Sequence, residues 1–250
     1  MTSGGTKGPE AAYEPFLRDL RGAFGDGLLS AAVYGSAARG DWRPGDSDIN
    51  FLVILDDRAI LDLENAFGFV KGWQKRGIAI PLFLTEEYIR GALDAYPLEF
   101  LNMQSAYRVL LGPDPLAALR FERRAVRLQC EREARGYLLH LRRGYLAGRG
   151  RARDLRALIV ASLPGYHALF RGLLWVAEGR LEAEGGEAVR RAAALFGLDA
   201  ELFERLERVR RGEKAKGEEL LRLADRFLEE ARKLAIAVDR WESDLSGGGE

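Results

Sequence analysis

The sequence predicts an α/β (α+β) N-terminal domain with a small mixed sheet, followed by an all-α helical-bundle domain. Three observations carry this. Residues up to about 114 alternate helical and strand-like hydrophobic periods, residues beyond it read as helix almost throughout, and the Gly112 to Pro115 interruption falls where the pattern changes. The expected domains are 10–114 and 115–243, with Gly-rich flexible tails at 1–9 and 244–250. No internal repeat is found.

Each element follows from its own pattern. Phe16, Leu20 and Phe24 recur at the four-residue spacing of an amphipathic helix over 11–24. Residues 28–34 and 49–55 are short apolar runs bounded by Gly, Pro and Asp, which read as strands. Between them, 39–46 is a loop broken by Gly40, Pro44 and Gly45. A helix over 59–74 and a third strand over 78–84 come next, and Thr85 with Glu86 and Glu87 has the cap and first-turn acids of a helix start. A helix to 93, another over 97–104 and a strand over 108–111 complete this half.

In the second half, Val126, Cys130, Ala134, Tyr137, Leu141 and Tyr145 mark one apolar face of a long helix. Residues 155–176 are apolar on most faces, as a central helix would be, and Pro164 is expected to kink or divide it. Helices over 187–196, 200–210 and 217–241 would complete a bundle. Gly136, His140 and Gly144 share one face of the long helix and predict close packing there. Arg135 and His140 also match the Arg-x4-His spacing of HEPN ribonuclease helices, but so short a match arises by chance in arginine-rich helices.

Bulk properties exclude several classes. A 47% hydrophobic and 30% charged composition argues against wholesale disorder. No apolar run is expected to span a bilayer and residues 1–10 have no apolar signal core, which predicts a cytoplasmic protein with no membrane partner. Cys130 is the only cysteine, so no intramolecular disulfide can form. Charges balance at 38 against 38, yet residues 120–156 hold twelve arginines against four acids. Two readings of that strip stay open, a surface for a polyanionic substrate or nucleic acid and a solvated helix face.

The chemistry concentrates in Val33-Tyr34-Gly35-Ser36-Ala37-Ala38-Arg39-Gly40-Asp41 and Asp46-Ser47-Asp48-Ile49-Asn50-Phe51. In an extended strand alternate side chains share a face, so Asp48 and Asn50 point one way while Ile49 and Phe51 point into the core. Carboxylates at that spacing can share Mg²⁺ ions that bind triphosphate oxygens. Glycine at a Gly-Ser turn lets the backbone approach a phosphate, and the serine hydroxyl and backbone amides can donate to it. The Arg39 guanidinium matches phosphate geometry, although an exposed loop arginine explains it almost as well.

These stretches resemble the nucleotidyltransferase superfamily that includes DNA polymerase beta, the aminoglycoside adenylyltransferases and the minimal nucleotidyltransferases. The resemblance covers about 28–56, through Tyr34-Gly35-Ser36, an eleven-residue gap and Asp48-Ile49-Asn50-Phe51. It implies Mg²⁺-dependent transfer of a nucleotidyl group from an NTP such as ATP to an acceptor hydroxyl. Gly35, Ser36 and Arg39 would hold the nucleotide, Asp48 and Asn50 would be the catalytic and metal positions, and Asp46 would be an auxiliary ligand. The expected partners are the NTP and an acceptor of unassigned identity, with room for a homodimer.

Two departures bear on activity. Asn50 stands where the family has a second acid, and 78–84 offers no third. A lost unit charge at about 4 Å and an effective dielectric near 20 is worth about 4 kcal/mol, on the order of a thousandfold in metal affinity. One Mg²⁺ ion is therefore expected rather than two. The alternative is a catalytically degenerate nucleotide-binding or partner-binding module of regulatory or antitoxin-like type. Trp42 is read either as a base-stacking residue or as a cap on the sheet edge, and His167 as a core or pocket histidine.

Overall fold

In the computed structural model, residues 8–45, 47–180 and 185–241 are described. Asp46 and most of the two expected tails lie outside the described residues. The chain divides into two compact units at 94/95, 98/99 and 120/121. The last of these divisions follows Arg120, and the short stretch 95–98 groups with the helical unit.

The first unit is a four-stranded mixed sheet with helices. Helix α1 (Tyr13–Phe24) leads through a 3-10 turn into β1 (Leu28–Tyr34), the one-turn α2 (Ser36–Arg39) and β2 (Asn50–Leu55). Two 3-10 turns precede α3 (Phe67–Lys75), so the helix expected over 59–74 is regular only in its last part. Strand β3 (Leu82–Leu84), α4 (Glu86–Ala92), α5 (Pro97–Ser105) and β4 (Tyr107–Leu111) follow, α5 running across the 98/99 division. The sheet order is β3-β2-β1-β4, with β2, β1 and β4 antiparallel and β3 parallel to β2.

The third strand is shorter than its apolar run. Ile78 bridges Ile49 and Leu82 pairs Leu52, so the two segments differ by one residue in register, and Pro81 has no N–H to give a ladder. Register also fixes the faces. Ala31, Val33, Phe51, Val53 and Leu55 join Phe16, Leu20 and Trp73 in one core. Phe16 stacks on Phe51 with centroids 4.0 Å apart, and the Trp73 indole donates to Asp19 at 3.0 Å. The opposite face carries buried Ala32, Leu52 and Ile54 and ends at the cross-strand pair Tyr34 and Asn50.

The second unit contains α6 (Arg123–Gly148), α7 (Ala152–Glu178), α8 (Gly185–Phe196), α9 (Ala200–Arg210) and α10 (Gly217–Arg240). Helix α7 is central, packing against α6, α8, α9 and α10. By length and composition it alone among the described helices could cross a membrane, which corrects the expectation that no segment is apolar enough. Its apolar residues from Leu155 through Val176 are largely buried against the neighbouring helices, as in the core helix of a bundle. Pro164 does not divide α7. The carbonyl it leaves unpaired belongs to Val160, and both residues are exposed, so water can replace the lost bond.

The close-packing face expected on α6 is only partly present. A Cβ at Gly144 would collide with Leu158, whereas Gly136 faces open space and His140 is exposed. Arg135 is engaged by Glu131 at 3.1 Å and Asp239 at 2.6 Å rather than by the histidine.

Candidate functional site

The site begins where β1 stops. Gly35 has φ 75° and ψ −143°, a backbone conformation that L side chains rarely adopt. Its N–H donates to the Ala106 carbonyl at 2.9 Å, turning the chain out of the ladder toward the α5–β4 junction. The carbonyls of Gly35 and Ser36 then accept from Arg39 at 3.0 Å and Gly40 at 3.0 Å, closing the single turn of α2. Left at its start are the amides of Ser36 and Ala37, which no preceding helical carbonyl can reach. The Ser36 hydroxyl makes no hydrogen bond among the described residues.

The returning loop delivers the second half. Ile49 is held by its N–H to Gly77 O at 2.8 Å and by Ala79 N–H to its own carbonyl at 3.1 Å. Asp48 therefore lies one residue outside this anchor, exposed, while Ile49 is buried, Asn50 half-buried and Phe51 buried. That alternation is what a shared face for Asp48 and Asn50 requires. The Asn50 amide nitrogen lies 3.5 Å from the Asp48 carbonyl, which leaves its Oδ1 as the acceptor end. Gly35 adjoins it, for a Cβ there would sit 3.8 Å from Asn50 Nδ2.

Gly35, Asn50 and the Asp48 backbone are thus brought together at one edge. Arg39 is partly committed, its Nε lying 3.6 Å from Asp41 Oδ2 with the side chain 23% exposed. Trp42 packs against the core cluster, and its indole nitrogen is buried with no hydrogen-bond partner among the described residues. Glu86 and Glu87 behave as helix-start acids. Thr85 Oγ1 accepts from Tyr88 N–H at 3.1 Å, and Glu86 pairs with Arg90 at 3.5 Å.

Strand pairing lines up two tyrosines with Asn50, an arrangement that local sequence could not have shown. Tyr34 faces Asn50 on one side and Tyr107 on the other, so the three form one row across β4, β1 and β2. Burial pushes the Tyr34 hydroxyl up, and burial together with the bond to Asp114 pushes Tyr107 up to about 12. Both stay protonated at neutral pH, as an ordinary phenol does, and the Tyr107 hydroxyl donates to Asp114 Oδ2 at 2.9 Å. Only strand pairing reveals this row, and Tyr107 lies just before the strand expected over 108–111.

Among the described residues, the oxygen donors at this edge are of the kind a hard cation takes. Among the described residues no three His, Cys, Asp or Glu side chains converge on a metal position. Mg²⁺ seldom needs such a cage, since one or two protein oxygens plus substrate phosphates and water complete its shell. Asp48 and the Asn50 amide oxygen can supply that pair.

Residues 16–92 match the family described as a nucleotidyltransferase domain, a span that runs from α1 to α4 and contains the site from Gly35 to Asn50. No curated protein matches the chain.

Proposed function

Because the chain carries a nucleotidyltransferase domain, we propose that it transfers a nucleotidyl group from an NTP to an acceptor hydroxyl, with Asp48 as its main metal ligand. The observation that carries this reading is the meeting of the Gly35 turn, with its free Ser36 hydroxyl and leading amides, and the Asp48–Asn50 strand entry. Ser36 and the amides of Ser36 and Ala37 donate to triphosphate oxygens, and glycine at 35 keeps that approach open. A bound Mg²⁺ would neutralise phosphate charge and polarise the α-phosphorus. Asp48 and the Asn50 amide oxygen would hold that ion at the sheet edge. Tyr34 stands beside Asn50 in the strand pairing, and burial pushes its hydroxyl further up, so it does not serve as a base at neutral pH.

A second reading is nucleotide binding without turnover. Asn50 favours it, as does the adjoining segment, where Ile80 is 59% exposed and no acid replaces the missing one. Calorimetry of Mg²⁺-dependent ATP binding, followed by pyrophosphate release with a panel of acceptors, separates the two. Wild type is expected to bind and to turn over slowly. Asp48→Ala should remove the Mg²⁺-dependent part of binding, and Asn50→Asp should tighten metal by up to about a thousandfold. Pyrophosphate from Asn50→Asp with none from wild type selects the second reading. Binding indifferent to Asp48→Ala sinks the site assignment altogether.

A further inference from the structure

Six cations at one end of the helical unit form no ion pair among the described residues. The α6–α7 hairpin tip and the α9–α10 connection lie together. Arg156 donates to Val209 O and Glu213 O at 3.0 Å each, and a Cβ on Gly217 would sit 3.7 Å from Ala152 Cβ. Residues 142–156 and 205–219 thus share one end, with twelve Lys and Arg against five acids, in a chain whose formal net charge is zero. Neither segment by itself displays this, because most of α7, all of α8 and the start of α9 separate them in sequence.

Structure also separates used cations from unused ones. Arg151 pairs with Asp154 at 2.6 Å, Arg205 with Glu213 and Glu219, Arg208 with Glu213, and Arg210 and Arg211 with Glu207. Arg142, Arg143, Arg149, Arg153, Lys214 and Lys216 are exposed and form no ion pair or side-chain hydrogen bond among the described residues. Elsewhere in the strip expected to be basic, several arginines serve structure, while Arg123 and Arg124 at the start of α6 are exposed. Arg127 is buried against Glu131 and the Val238 carbonyl, Arg132 donates to Ala95 O, and Arg120 to Leu119 O. The tip is also tightly turned, with Arg149 at φ 49° and Gly150 at φ 72°. Arg149 is the only non-glycine with positive φ among the described residues, a position where glycine would relieve strain.

We propose that this end of the helical unit docks a nucleic acid through its sugar–phosphate backbone. Spaced, unpaired guanidinium and ammonium groups match spaced phosphates and gain affinity by releasing counterions. An anionic membrane would need an apolar face to bury, and Leu146 is the one large apolar side chain exposed at this end. A protein partner would need central apolar or aromatic anchors, which are missing for the same reason. This inference stands on the helical unit alone and holds whether or not the first unit turns over NTP.

The test is fluorescence anisotropy of the full chain with a labelled RNA duplex and a DNA duplex of the same sequence, between about 50 and 200 mM salt. Binding should weaken with a log–log slope of about −4.5 to −5.4, which corresponds to five or six neutralised phosphates. Arg142→Gln with Arg143→Gln should lower the slope by about 2, as should Arg149→Gly with Arg153→Gln, where glycine keeps the left-handed turn. Lys71→Gln with Lys75→Gln, two exposed cations of the first unit, should leave it unchanged. Circular dichroism on each variant keeps misfolding from passing as lost contact. Binding of neither duplex, a slope that ignores the tip substitutions, or capture by phosphatidylglycerol vesicles without duplex binding would each overturn the proposal.

Discussion

Asn50 and His167 show how far a residue's role is set by what surrounds it. Asn50 is an acid position without the acid, yet its amide is oriented by the Asp48 carbonyl so that an oxygen remains available. His167 in α7 is a core histidine held neutral. Burial, the larger influence, lowers its pKa from 6.5 to about 4. Glu207 opposes this from 3.9 Å, but Arg210 and Arg211 already hold that carboxylate, each by a 2.8 Å hydrogen bond. A histidine whose folded pKa is depressed contributes stability above its unfolded value, and that contribution is lost as pH falls from 6.5 toward 4. The full loss is about 3 kcal/mol. Urea unfolding of wild type should show this decline across that window, and His167→Gln should flatten it. Glu207, which Arg210 and Arg211 hold below the usual carboxylate range despite burial, acts with the same sign at lower pH.

At the scale of elements, breakers mattered more than apolar runs. The run over 78–84 is apolar throughout, but Pro81 and the register step leave only Leu82–Leu84 in the ladder. In α7 a proline had less effect than its position in the sequence implied, because it lies on the wet side. Pro164→Ala restores the bond to Val160 O in a helix already held by its neighbours. It should raise stability by about 1–3 kcal/mol, read as a higher Tm by calorimetry. No gain would mean that the α7 backbone has adapted to the proline.

The whole molecule divides in space where the chain does not divide cleanly. Leu98 belongs to the helical unit although α5 continues into the first. Its N–H donates to buried Gln129 Oε1 at 2.8 Å, and its side chain fills the space beside Gly172, where Cys130 Sγ also lies. Leu98→Ala should therefore destabilise the helical unit by about 2–5 kcal/mol through the cavity it leaves. Cys130, fully buried in the wild type, should then react faster with a thiol reagent. An unchanged labelling rate would mean that α5 contributes nothing to that core.

Local pattern determined the α/β-then-helical order, most helix positions, and the Gly35-Ser36 turn with Asp48 and Asn50 near it, because periodicity, breakers and positive-φ glycines act within a few residues. It could not line up Tyr107, Tyr34 and Asn50 in one row, bring Leu98 to Cys130, or distinguish the arginines held in ion pairs from those without one among the described residues at the bundle end. Those depend on strand register and helix packing between residues distant in sequence. Only the tertiary structure decides which donors, charges and apolar side chains have partners.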